Sequence, residues 1–436
     1  GSTGAPTALN VSIVLTDPSF SGPYTVSLQF DGEGQAASFQ ARAVDGVVTL
    51  PKVDVSELAP WSTTDPVLHT LAVRGMSGDV VTERFGLRAW GSDPASGRLT
   101  LNGKVVKLHG WNHHTQWPYG SPGNAIGASP TDAQLDRDIA LLKRAGTNVV
   151  RGAHYPQDPR WLDRLDEAGI AMWEETHGPG VSLTDLQDEY FMEYQLQQVD
   201  EMLDQSLNHA AIMTWGWFNE GPSDKEDACP AYAACAQRAR ARDTTRFTTW
   251  ASSRKTSDVC LAHATLVSFN SYPGWYDHAG DLNEPKIFWD QMSDWVKSNQ
   301  PGKPFMISET GAGGIYEWSH NATAVKWTTA YQTEIISRDV DAALDNDEVS
   351  AITLWHFYDF KGNDGATEKC GPCQYKQGVF PPTCAYFSPT AFCGGSRPGG
   401  ENHKGVVDAW RRPKAAYAVV GAKYNASLAH ALVEHG

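Results

Sequence analysis

The chain has 436 residues and a formal net charge of −16 at pH 7; 41% of its residues are hydrophobic, with 16 Trp, 15 Tyr and 15 Phe. That supply of apolar and aromatic side chains is ample for a large core and excludes a disordered or fibrous protein. The acidic balance argues against a nucleic-acid partner, whose affinity leans on phosphate neutralisation by Lys and Arg, and no apolar run approaches the roughly 18–20 residues a membrane helix needs.

The chain opens Gly1-Ser2-Thr3-Gly4 without a charged and apolar leader, as expected of a mature or trimmed chain. Short β-type runs follow at residues 11–15, 24–30, 47–50 and 68–73, several of them alternating and all broken by Gly, Pro or Asp. They predict a small antiparallel β-sandwich over residues 1–95. Residues 91–97, Gly-Ser-Asp-Pro-Ala-Ser-Gly, read as a linker. Asn102-Gly103, between Leu99-Thr100-Leu101 and Val105-Val106-Lys107-Leu108, accepts the positive φ angles of a tight hairpin.

Over residues 96–436 strands alternate with amphipathic helices. Thr131-Asp132 opens a helix whose Leu135, Ile139, Leu141 and Leu142 form an apolar stripe ended by Gly146. The predicted strands lie at 105–108, 147–151, 170–173, 211–218, 246–250, 266–269, 304–307 and 351–357, most of them separated by helices. Eight such units fit a (β/α)8 TIM barrel. A doubly wound sheet is the alternative, but no Gly-X-Gly-X-X-Gly fingerprint follows the first strand.

Cys370, Cys373, Cys384 and Cys393 crowd one Gly/Pro-rich stretch, and Cys229, Cys235 and Cys260 stand elsewhere. The clustered four read either as two disulfides stapling a surface loop or as a zinc site. The other three are an odd number, which predicts a free buried thiol or an unexpected pairing. Sequons at Asn10, Asn321 and Asn425 favour a secreted, oxidising route.

In such a barrel, function collects where strands end at the C-terminal face. Glu220 closes the run Ile212-Met213-Thr214-Trp215-Gly216-Trp217-Phe218-Asn219-Glu220, and Glu309 closes Pro304-Phe305-Met306-Ile307-Ser308-Glu309. An acidic residue directly after an apolar strand is costly unless it is paired, hydrated or working. Two at one barrel mouth are what glycoside hydrolysis needs, one acid to protonate the leaving oxygen and one opposed carboxylate. The bland reading, a structural ion pair, suits Glu174 and Glu175 better.

The surrounding motifs resemble glycoside hydrolase family 2, the group of β-galactosidases, β-glucuronidases and β-mannosidases. They are Leu101-Asn102-Gly103-Lys104 leading to His109-Gly110-Trp111-Asn112-His113-His114; Arg151-Gly152-Ala153-His154-Tyr155-Pro156; Asn219-Glu220; Ser308-Glu309-Thr310-Gly311; and Trp355-His356-Phe357-Tyr358-Asp359-Phe360. Pro60-Trp61-Ser62 and Phe85-Gly86-Leu87-Arg88 resemble the family's immunoglobulin-like middle domain, and no stretch resembles its N-terminal sugar-binding jelly roll. The resemblance implies a small immunoglobulin-like β-sandwich ahead of the barrel, with Glu220 as general acid/base and Glu309 as nucleophile of a retaining double displacement. Their carboxyl groups should then stand about 5–5.5 Å apart. It further implies that Asn219 bonds the sugar 2-hydroxyl, that Tyr272 and Arg151 steady the Glu309 charge, and that His154, His114 and Trp355 line the sugar pocket. No cofactor or metal is called for.

Asn402-His403-Lys404-Gly405 resembles the β-glucuronidase branch, whose Asn-X-Lys element holds the substrate carboxylate. Asn402 and Lys404 would supply a charge-assisted bond to an anion, and Arg397 a planar fork. The chain departs from that branch at His114-Thr115-Gln116, where the branch carries His-Glu-Asp. The expected function is a retaining exo-β-D-glycosidase with a preference for a terminal uronic acid. A β-galactosidase is the runner-up, and a catalytically silent carbohydrate-binding protein is the alternative from another class. Oligomerisation is left open.

Overall fold

The computed structural model describes residues 4–32, 36–118, 126–127, 129–317, 319, 326–362, 369–370, 373–374 and 401–435. Eight parallel strands form its centre: Leu108–His113, Val149–Gly152, Ala171–Glu175, Ile212–Gly216, Phe247–Thr249, Val267–Asn270, Phe305–Glu309 and Val349–Leu354. They pair in chain order, and the eighth returns to the first, Leu108 lying opposite Ala351. Every residue of all eight is buried, as expected where helices cover a parallel sheet. The architecture is that of a TIM barrel.

Helices cover most of the strand-to-strand crossings. The first, Asp132–Arg144, starts where Gln134 Oε1 accepts from the Thr131 N–H at 2.8 Å, and it buries Leu135, Leu141 and Leu142 of the predicted stripe. Between the fifth and sixth strands only two 3₁₀ turns intervene, Lys255–Ser257 and Leu261–His263. There the ring closes through one backbone bridge, Ser252 to Phe269, flanked by bonds from the Thr249 and Ser268 hydroxyls to the Leu266 and Trp250 carbonyls.

Several expected boundaries move. The first barrel strand begins at Leu108 rather than 105, because Lys104–Val105 is spent on the hairpin with Leu99–Leu101. Its polar residues, His109, Asn112 and His113, hid it from an apolar-run criterion, yet all three are buried. The predicted hairpin turn is present, with Asn102 at φ +51° and Gly103 at φ +78°. Gly91 and Ser92 are not linker but strand, since Trp90–Ser92 pairs with Leu99–Leu101.

Ahead of the barrel lies one six-stranded antiparallel sheet with its own small core. Its spatial order is Ser12–Val14, Val47–Thr49, Ala37–Val44, Gly22–Phe30, His69–Arg74, Val80–Phe85. Ala37–Val44 and Val80–Phe85 were not expected; the second is almost wholly exposed at the sheet edge, so it lacks the alternation that marks a half-buried strand. The sheet is joined to the barrel by Trp61, fully buried, whose Nε1 donates to the Asp166 carbonyl at 2.8 Å. Arg88 Nε donates to the Ala210 carbonyl at 3.2 Å, and Arg84 pairs with Asp163 and Glu167.

Cys229 and Cys260 form a disulfide, and Cys235 remains a free buried thiol. The choice between disulfides and zinc for the clustered four lies outside the described residues; only the backbones of Cys370 and Cys373 are described, paired with each other. Asn10 is exposed, Asn321 lies outside the described residues, and Asn425 sits in the last helix with Nδ2 donating to Gly421 O at 2.7 Å.

Candidate active site

Glu309 is the last residue of the seventh strand and is 4% exposed. Both carboxylate oxygens are taken: Oε1 accepts from Arg151 Nη1 at 2.6 Å and Oε2 from the Tyr272 hydroxyl at 2.7 Å. Glu220 does not close its strand as expected, because the fourth strand stops at Gly216. The chain then turns sharply, with Phe218 at φ +53° and Glu220 at φ +57°. Side chains in that left-handed region cost roughly 1–2 kcal/mol each. The turn is held by a bond from Glu220 N to Ala251 O at 2.9 Å and by complete burial of Trp217 and Phe218.

Glu220 receives one side-chain bond, from Asn270 Nδ2 at 3.0 Å. Burial, followed by the nearby Glu309 charge, raises its pKa above the ordinary carboxylate range against that single amide bond. The two carboxylates are linked through shared donors: Asn270 Nδ2 bonds Glu220 and Asn219, and Arg151 bonds Asn219 and Glu309. The site is therefore one cluster, assembled from strands far apart in sequence.

Arg151, at the end of the second strand and fully buried, is its hub. Its guanidinium forks onto Glu175 at 2.9 and 3.1 Å, reaches Asn112 Oδ1 at 2.9 Å and Asn219 Oδ1 at 2.8 Å, and lies 4.7 Å from the Trp173 ring centre. Burial alone would lower its pKa, but the Glu175 and Glu309 charges outweigh that and raise it. Asn219 Oδ1 accepts from both Arg151 and Asn270, which fixes its amide orientation, since a guanidinium can only donate. The Asn219 NH2 is thereby left to donate elsewhere.

Glu175 is an ion-pair residue, as expected of it, but inside this cluster: Arg151 overcomes its burial and holds its pKa below the usual value. Glu174 is not an ion-pair residue. It points away from Arg151, accepts from Gln157 N at 3.0 Å, and burial pushes its pKa up to about 7. Reasoning from sequence also missed Asn112 and Asn270. Asn270 ends its barrel strand and Asn112 stands one residue before the end of its own, each with a polar side chain, the one signal that could have marked them. Asn112 Nδ2 donates to the Ser308 carbonyl at 2.8 Å, and Asn270 Oδ1 accepts from the Ser308 hydroxyl at 2.7 Å.

His154, Trp355 and His114 come together beside the cluster. The His154 and Trp355 rings stack at 5.2 Å, and His154 Nδ1 meets Glu175 Oε1 at 2.7 Å. His114 packs on His356 at 5.0 Å, bonds the Tyr155 hydroxyl at 3.3 Å and is kept neutral chiefly by burial. Lys404 is 3% exposed; its Nζ donates to the Tyr276 hydroxyl at 2.7 Å and lies 5.0 Å from the ring centre of Tyr272, the residue that bonds Glu309. Asn402 Oδ1 accepts from Lys404 N at 3.1 Å, so it shapes that loop. Arg397 lies outside the described residues. Among the described residues, one group of side chains could gather around a metal, Asp163, Asp166 and His209; Arg84 bonds Asp163, and the Ala211 N–H bonds Asp166.

Comparison with known proteins places this geometry in context. The family description "Glycosyl hydrolases family 2, TIM barrel domain" matches residues 95–380. A β-glucuronidase of Bacteroides fragilis is 30% identical over 314 residues, covering 68% of this chain and 42% of that protein. The β-glucuronidase of Mus musculus is 25% identical over 323 residues, 72% of this chain and 47% of that protein. The chain thus spans less than half the length of these relatives. Among solved structures, a β-galacturonidase of Eisenbergiella tayi bound to galacturonate superposes with a TM-score of 0.79 at 26% identity, over 98% of this chain and 73% of that one. The fold of a β-glucuronidase of Bifidobacterium dentium complexed with coumarin-3-O-glucuronide matches with a TM-score of 0.77 at 21% identity, over 92% of this chain and 61% of that one.

Proposed function

The chain belongs to glycoside hydrolase family 2, and on that premise we propose that it is a retaining exo-β-D-glycosidase releasing a terminal uronic acid. The observation that carries the proposal is the unequal treatment of the two carboxylates. Glu309 accepts from a guanidinium and a phenol, whereas Glu220 receives one neutral amide and is pushed toward its protonated form by burial and by the Glu309 charge. A carboxyl that holds its proton, set beside one paired with a fixed guanidinium, suits the division of labour between acid and nucleophile.

In the first step Glu309 attacks the anomeric carbon while Glu220 gives its proton to the glycosidic oxygen, so that the C–O bond breaks and a glycosyl ester forms. Glu220, now a carboxylate, then takes a proton from water as that water attacks the same carbon and frees Glu309. The Asn219 amide is available to the sugar 2-hydroxyl, Trp355 offers an apolar face, and Lys404 a cation for the substrate carboxylate. Tyr272 is half-buried, and desolvation together with the Glu309 and Glu220 charges raises its pKa well above the ordinary phenol value and keeps it a donor.

The uronide reading draws on Lys404 and on the β-glucuronidase and β-galacturonidase relatives, and it is preferred to a β-galactosidase. Galacturonide is the second reading, supported by the Eisenbergiella tayi neighbour. The test is kcat/KM on p-nitrophenyl β-glucuronide, β-galacturonide and β-galactoside: a uronide should lead, and preference for the galactoside would overturn the reading. Sugar binding without turnover on all three would instead favour a silent carbohydrate-binding protein. An immunoglobulin-like assignment for residues 1–95, with 96–436 as catalytic domain, belongs to the same proposal. So does secretion, supported by the Cys229–Cys260 disulfide and the exposed Asn10 sequon.

A further inference from the structure

Behind the Lys404 loop sits a buried cation that makes no contact with the two carboxylates of the cluster. Lys414 is 4% exposed, and its ammonium uses three donors on three acceptors: Gly314 O at 2.5 Å, Asp359 Oδ1 at 2.7 Å and His403 O at 3.2 Å. Asp359, 3% exposed, uses the same Oδ1 to accept from Gly405 N at 2.9 Å. The ion pair therefore grips the residues on both sides of Lys404, His403 through its carbonyl and Gly405 through its amide.

Other bonds close the frame. Gly314 N donates to His403 O at 2.8 Å, Gln332 Nε2 to Gly405 O at 2.9 Å, and His356 N to Lys404 O at 3.1 Å. Gly405 is pressed against the chain at Asp359: a Cβ there would stand 2.2 Å from Asp359 N and 2.5 Å from Val407 O, so only glycine fits. Gly314 belongs to the segment that follows Glu309. One ammonium thus ties the strand-seven loop to the loop bearing the candidate anion-reading cation.

We propose that Lys414 and Asp359 are positioning residues that set the height of Lys404 over the sugar, and so fix selectivity for an anionic over a neutral substrate without touching either. A buried pair whose every donor is satisfied can hold a backbone within the few tenths of an ångström that charge-assisted recognition requires. The inference rests on the uronide reading given above, with Lys404 as the cation that reads the carboxylate.

The test measures the ratio of kcat/KM on a p-nitrophenyl β-uronide to that on the matching p-nitrophenyl β-hexoside, for the parent chain, Lys404→Met, Lys414→Met and the double variant Lys414→Met/Asp359→Asn. The double variant leaves no unpaired buried charge, which protects folding. In Lys414→Met and the double variant the ratio should fall at least about tenfold, through KM for the uronide more than through kcat. A fall in Lys404→Met with no change in folded Lys414 variants overturns the positioning role alone. An unchanged ratio in Lys404→Met overturns the uronide reading itself. Loss of folding in both Lys414 variants also overturns the proposal, because the pair would then support the barrel as a whole rather than one loop.

Discussion

The Arg151 guanidinium and the Glu309 carboxylate meet at 2.6 Å in the buried mouth of the barrel, although 158 residues separate them in the chain. Arg151 holds Glu175 by two further bonds, so its removal strands two buried acids at once. Arg151→Met should cost about 3–5 kcal/mol of stability, the penalty for breaking a buried pair from one side. Denaturant unfolding measures it. Arg151→Lys keeps the charge but loses the fork, and should retain more stability than activity. A Met variant as stable as the parent would show that the hub is not structural.

Glu309→Ala should abolish turnover of an aryl β-uronide. Tyr272→Phe removes one bond to the Glu309 charge, of a kind worth about 1.5–3 kcal/mol to the folded state, so the melting temperature should fall and kcat/KM should drop roughly tenfold or more as Glu309 loses its fixed orientation. Steady-state kinetics beside a thermal melt separates the two effects.

The raised pKa of Glu220 fixes the sign of a pH profile. In the proposed mechanism the reactive form is protonated at Glu220, so kcat/KM should fall as pH rises through that elevated value, giving the alkaline limb. Glu220→Gln should erase the limb and slow substrates with poor leaving groups most. An alkaline limb that survives this substitution assigns the proton to another group.

Glu174 carries a different pH effect. Its folded pKa of about 7 exceeds the ordinary 4.5, so the native state binds the proton more tightly than the unfolded chain. Its contribution is complete below pH 4.5 and is lost as pH rises to about 7. Glu174→Gln should therefore stabilise the protein at pH 8 relative to the parent and change little at pH 4.5; equal melting shifts at both values would reject this account.

The Cys229–Cys260 disulfide closes a loop of 31 residues beside the Glu220 turn. Chain entropy gives it about 3–4 kcal/mol. Replacing both with Ser should lower the unfolding midpoint accordingly, and an unaltered midpoint would count against the bond.

The barrel was legible because most of its strands are apolar runs that recur between helices, Leu108–His113 being the polar exception, and both acids were legible because each comes at or after the end of such a run. Asn112, Asn270 and Glu175 were less visible as site residues. Their importance comes from partners on strands that only the closed ring brings close, such as Asn270 reaching Glu220 across 50 positions. Glu174 and Glu175 show the limit well: adjacent and chemically alike, they face opposite sides of one strand, and only the pleat decides which one meets Arg151.

The narrow stitching at Ser252 has a kinetic consequence. Asn270 N donates to Ser252 O at 2.9 Å, so the amide of the residue that grips Glu220 is also a fastening of the one seam in the ring without a continuous ladder. Breathing of the barrel should begin there, and deuterium uptake at Asn270 should precede uptake at Met306 and Ile307 of the Glu309 strand, which pair with strands on both sides. Excursions of the cylinder would then disturb Glu220, the proposed proton donor, before they disturb the strand that carries Glu309.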